Sequence, residues 1–116
     1  MPMAKTLSYR EVTSQDISQG NLLQQWLETH RQERGIHYKR DGKKIYVLIS
    51  SGERPTGGYK VIIDQAVMES LDTAYISAHI TTPKPDTMVT QKITYPYACI
   101  EIESDHIKSV QGTLMD

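Results

Sequence analysis

Four side chains stand out as candidate nucleophiles: the thiol of Cys99 and the hydroxyls of Ser50, Ser51 and Thr56. A thiol attacks as its thiolate, which needs a base or a cation beside it. Cys99 stands in the apolar run Ala98-Cys99-Ile100, and strand alternation places it with Tyr97 and Glu101. A carboxylate neighbour holds a thiol's proton on, so Cys99 reads as a packing residue. The histidines His30, His37, His79 and His106 fall on different predicted elements, with no HxxxH or CxxC spacing. The sequence therefore assigns no metal site and no cofactor, and Asp105-His106 reads as a polar turn. Glu101 and Glu103 share a strand face about 7 Å apart. That separation superficially resembles the acid and base of a glycoside hydrolase, but a solvated strand face is the commoner reason for such a pair.

Two loops carry denser signals. Gly52-Glu53-Arg54-Pro55-Thr56-Gly57 matches the first half of a phosphate-binding loop. It then places Gly58-Tyr59 where Lys-Ser/Thr is required, and a strand follows instead of a helix. Phosphate loses both its counter-charge and its helix dipole, so the glycines read as a tight turn beside a proline-fixed residue. Lys39-Arg40-Asp41-Gly42-Lys43-Lys44 is a basic hairpin tip flanked by Tyr38 and Tyr46. Tyrosine stacking with lysine on phosphate would suit single-stranded nucleic acid. The net charge of −1 and the lack of a wider basic stripe argue against it.

The elements that must hold these residues follow from the hydrophobic pattern. Leu22, Leu23, Trp26 and Leu27 form one apolar stripe of a helix predicted over 18–34, with Ser18 or Asn21 as cap and Gly35 as its C′ residue. From Ile36 the period changes to two. Asp41-Gly42 marks a hairpin over 36–50, and further strands are predicted at 7–12, 59–64, 72–80, 88–94 and 97–103. The ends, up to about Thr6 and after about Val110, read as loose tails. Leu, Ile, Val and Phe together number 25 of 116 residues, none of them Phe, so the core must lean on isoleucine. A single cysteine excludes an intrachain disulfide. No apolar run is long enough for a signal peptide or a bilayer span, which predicts a soluble, cytoplasmic chain without membrane insertion. A form from which a leading segment had been removed would instead be secreted or surface-attached.

Tyr46 to Ile63, containing Gly52-Glu53-Arg54-Pro55-Thr56-Gly57-Gly58-Tyr59-Lys60-Val61, together with Gln91-Lys92-Ile93-Thr94-Tyr95-Pro96-Tyr97, resembles the C-terminal domain of the PrcB-type protease-complex subunit family. The first stretch fits a G-x-[KR]-P-T-G-G-Y-x-[VI] signature and the second a Q-x-x-T-Y-P-Y/T stretch leading into the last strand. The likeness covers about 46–103. It implies a bacterial, non-enzymatic accessory domain that associates with and stabilises a surface protease. It brings no catalytic residues, and Gly57, Gly58 and Tyr59 enter as signature positions.

The combined expectation is one α+β domain over 1–116, an amphipathic helix packed on a twisted antiparallel sheet or small β-barrel of five to six strands. Its function is protein–protein interaction, with a protease as the foremost partner, a homo-oligomer as a further one, and no nucleic acid. The expected surface is Arg54, Thr56, Gly57, Gly58 and Tyr59 together with Tyr95 and Tyr97, since loops on a rigid scaffold and exposed tyrosines serve recognition. This reading predicts a flat or ridged tyrosine surface. The rival, a small-ligand or enzymatic domain, predicts a pocket between helix and sheet with Arg54, His79 or Glu101 as its polar groups.

Overall fold

Isoleucine, valine and alanine at alternate positions of 45–49 and 98–102 set two strands side by side, and the rest of the chain is laid around them. A computed structural model describes residues 5–13 and 21–116. Within these, eight strands and one helix follow in the order β1 (Lys5–Thr6), β2 (Arg10–Glu11), α1 (Asn21–His30), β3 (Gly35–Asp41), β4 (Lys44–Ser50), β5 (Lys60–Met68), β6 (Thr73–Thr81), β7 (Tyr97–Glu103) and β8 (Ser109–Met115). They form two open four-stranded sheets, ordered β1-β5-β6-β8 and β2-β7-β4-β3. The α+β class stands, but in place of one sheet or barrel of five to six strands there are two sheets.

The main core fills the space between the sheets. Ile45, Val47 and Ile49 from β4 and Ile100 and Ile102 from β7 meet Ala74, Ile76 and Ala78 from β6, with Ile107 and Val110. Each isoleucine so buried contributes about 1.5–3 kcal/mol. The opposite face of β4 and β7 is also covered: Leu48 and Cys99 lie with Val12 beneath Leu27 of α1, and Leu23, Trp26, Tyr46 and Tyr97 pack around them. The β2-β7-β4-β3 sheet is thus the middle layer of three. Leu22 leaves the predicted stripe and is 72% exposed. Among the described residues no helix is long and apolar enough to cross a membrane.

Five departures from the sequence pattern have physical causes. The helix stops at His30 instead of Arg34, and its turn closes with Glu33 N–H donating to His30 C=O at 3.0 Å. The carbonyl of Arg31 accepts the Ser50 hydroxyl. Gly35 consequently opens β3 with φ 137° rather than ending the helix; Ser18 lies outside the described residues. The hairpin turn is Gly42-Lys43, one residue later than Asp41-Gly42, because Asp41 pairs with Lys44. Gly42, at φ 63°, sits first in the turn, as a type II′ turn demands. β5 continues past Asp64 to Met68 through a bulge, since Ile63 faces Ala78 but Gln65 faces Ser77.

The fourth departure is at the end of the chain. Residues 109–115 are not a tail but β8, parallel to β6 with Ile76 opposite Gly112. A Cβ at Gly112 would stand 2.0 Å from the Ile76 carbonyl oxygen, so glycine is required where an apolar residue would have shown the alternation. Parallel neighbours need a long crossover, here supplied by the passage through β7 in the other sheet. Conversely, 88–94 is not a strand. Met88 is 98% and Ile93 54% exposed, and only Thr94 makes a bridge.

Candidate functional site

The pairing of β4 with β7 does not end at its last register pair, Ser50 with Tyr97. Beyond it Ser51 N–H donates to Pro96 C=O at 3.0 Å, and Arg54 and Thr94 exchange both backbone hydrogen bonds at 2.9 Å. Gly57 N–H then reaches Thr90 C=O at 2.9 Å, and the Thr94 hydroxyl donates to Thr56 C=O at 2.7 Å. The glycine-rich loop and the Thr-Tyr-Pro-Tyr stretch therefore run alongside each other as an irregular extension of the ladder. The Tyr95–Pro96 bond is trans.

An open groove of about 460 Å³ lies between the two stretches, lined by Arg31, Gly58, Tyr59, Ile62, Tyr95 and Tyr97 among others. It replaces the flat surface expected of a binding module, and its walls are the two loop stretches, the first residues of β5, Tyr97 of β7 and Arg31 just after α1; Arg54 and Thr56 do not line it. Arg31 holds one side, its guanidinium 5.3 Å from the centre of the Tyr97 ring and 3.4 Å from Glu28. Arg54 holds Tyr59 in the same way at 5.4 Å. Such stacking contributes about 0.5–1 kcal/mol at exposed sites and more when dry. Burial pushes the Tyr97 hydroxyl above its ordinary pKa, against the opposing pull of Arg31, so this ring presents a neutral phenol.

Arg54 is also tied to the end of the chain. Its Nη2 lies 2.8 Å from Asp116 Oδ1, which Arg34 Nη1 approaches at 2.9 Å. Hydrogen bonds from Arg34 and then Arg54 hold the Asp116 carboxyl below its usual pKa. The signature glycines differ in their demands. Gly58 has φ 92°, and a Cβ there would meet Pro83 Cβ at 2.8 Å and Val89 Cγ1 at 2.9 Å. Gly57 has no such backbone, and a Cβ would touch Thr90 Cβ at 3.4 Å, an ordinary contact.

The family model described as PrcB C-terminal matches residues 45–103, half of the chain. The chain belongs to the PrcB C-terminal family. No curated protein and no solved structure matches it. The family region runs from β4 to β7 and contains both groove-forming stretches, while Arg31, from the turn after α1, lies outside it.

Other predicted chemistry is dispersed. Arg54, His79 and Glu101 occupy separate ion pairs: with Asp116, with Asp64 at 2.7 Å, and with Arg10 at 2.6 Å and Lys44 at 3.3 Å. Cys99 is buried, and burial first, then Glu101, pushes its thiol up to about 12. Ser50 and Ser51 are buried, with their hydroxyls donated to carbonyls. The Thr56 hydroxyl is donated to Gly57 C=O at 3.0 Å. Arg31 was invisible as a groove residue, because it reads as part of the polar face of a longer helix. His30 and His37, assigned to different elements by sequence, have ring centres only 5.0 Å apart.

Proposed function

We propose that the chain is a non-enzymatic protein-interaction domain, an accessory and stabilising subunit of a protease-type complex, which docks a partner segment in the groove between Gly57–Tyr59 and Thr94–Tyr97. The observation that carries this reading is the convergence of the two signature stretches on one groove lined by Tyr59, Tyr95 and Tyr97. Tyrosine gives a large contact area at low entropic cost and keeps a hydrogen-bonding tip. Arg31 and Arg54 orient two of the rings before any partner arrives, which lowers the cost of binding. Membership of the PrcB C-terminal family supports a protease-complex partner.

Affinity capture from the native host tests the reading, with a surface protease the expected partner. Tyr59→Ala and Tyr97→Ala each remove an interface anchor, and loss of such an anchor costs about 2 kcal/mol or more, so capture should fall at least ten-fold. Tyr38→Ala, on an exposed position of β3, should capture as the wild type does. If both groove variants keep the native circular dichroism and recover the same proteins in the same amount, the groove is not the docking surface.

A further inference from the structure

We propose that His30, Glu33 and His37 bind a divalent transition-metal ion of the zinc class. The three residues come from the end of α1, the turn that follows it and the start of β3. One ring nitrogen of each histidine and one carboxylate oxygen of Glu33 all lie within 4.8 Å of one another. Neighbouring ligands in a tetrahedral zinc site, each about 2.0–2.2 Å from the metal, stand roughly 3.3–3.5 Å apart. The gap to close is therefore on the order of an ångström. Glu33, with 65% of its side chain exposed, is free to close it by rotation.

Two details favour a cation over a chance cluster. His30 Nδ1 is buried with no hydrogen-bond partner, and it faces Glu33 Oε1 at 3.9 Å, too far for a hydrogen bond. Leaving a buried polar atom unpaired is unfavourable, and a metal between nitrogen and carboxylate satisfies both. His37 Nε2 lies 3.0 Å from Glu33 C=O. A ring that donates one N–H to a backbone carbonyl has its tautomer and orientation fixed, as the imidazoles of metal sites have. Two imidazoles and one carboxylate select zinc, cobalt, nickel or copper over magnesium and calcium. A fourth position is left for water. The site is hidden in sequence because the helix ends inside it: His30-x2-Glu33-x3-His37 has no single-helix register.

Isothermal titration of zinc chloride into the chelator-treated full chain, with cobalt absorption as a second readout, decides the matter. The expected result is one equivalent of zinc with micromolar or tighter Kd, and a cobalt d–d band that saturates at one equivalent. His37→Ala and Glu33→Gln should each bind zinc at least ten-fold more weakly while keeping the native circular dichroism. His79→Ala, which removes the exposed pair with Asp64, should bind as the wild type does. Trp26, the chain's one tryptophan, has its ring centre 5.8 Å from that of His30, so its emission should be quenched as cobalt fills the site. Absence of saturable zinc binding up to millimolar concentration overturns the proposal. So does affinity that survives both His37→Ala and Glu33→Gln, or that falls equally in His79→Ala.

Discussion

Gly58→Ala tests whether the signature loop is held by geometry, with Gly57→Ala as its internal reference. At φ 92° an alanine at 58 is strained by about 1–2 kcal/mol. Its methyl would also sit 2.8 Å from Pro83 Cβ and 2.9 Å from Val89 Cγ1, and overpacking of that kind costs about 1–3 kcal/mol. The sum is roughly 2–5 kcal/mol, a large part of the 5–15 kcal/mol that typically stabilises a domain. For a chain of this size each kcal/mol lowers Tm by roughly 4 °C, so Gly58→Ala should melt roughly 8–20 °C below the wild type. Gly57→Ala meets only an ordinary contact at 3.4 Å, and the stiffer unfolded chain offsets part of any strain. It should stay within about 1 kcal/mol of wild type. Urea and thermal unfolding followed by circular dichroism measure both. Equal destabilisation by the two substitutions, or a Gly58→Ala Tm within about 2 °C of wild type, would refute the steric argument.

Gly112→Ala must displace β8 from the Ile76 carbonyl, so a loss of about 3 kcal/mol or more is expected in urea unfolding; a wild-type midpoint would contradict the parallel register. The buried Cys99 thiol, raised to about 12, should resist aromatic disulfide reagents in the native protein and react at once in denaturant. Rapid native labelling would show that α1 does not cover it. Burial opposes ionisation of Glu101, but hydrogen bonds from Arg10 and Lys44 outweigh it and lower its pKa. Its contribution is therefore present above the ordinary carboxylate range and is lost as pH falls through the lowered folded value. For Lys44, raised chiefly by its hydrogen bond to Glu101, the contribution is present below the ordinary lysine range and lost as pH rises through the raised value. Glu101→Gln should flatten both limbs of the urea midpoint against pH and cost about 1 kcal/mol at neutrality; an unchanged profile would mean that the pair is inert.

What could be read from sequence was whatever obeyed a simple period. β7 was found at its true bounds because Ala98, Ile100 and Ile102 alternate without interruption. β4 was found for the same reason. β5 was cut short at Asp64, where the bulge reverses the alternation and places Ala66 inward after Ile63. β8 was lost because its central inward position is a glycine, which carries no hydrophobic signal. Met88–Thr94 has the composition of a strand, although Met88 and Ile93 face solvent and its backbone is spent on the glycine loop. The tyrosine stretches were recognised as family signatures. Their contact and the Arg31 lid on Tyr97 depend on the tertiary path, which no local pattern encodes.

The order of the strands also separates the unit that is inherited from the unit that folds. Residues 45–103 contain β4, β5, β6 and β7, and each of these pairs on one side with a strand inside that region. On its other side each pairs with a strand outside it: β4 with β3, β5 with β1, β6 with β8 and β7 with β2. A fragment cut at the family boundaries would be two strand pairs with four raw edges, the substrate for intermolecular pairing and aggregation. The flanks are thus the hem of the fabric: they lie outside the family match, yet in this chain they cover all four edges that the matched region would expose.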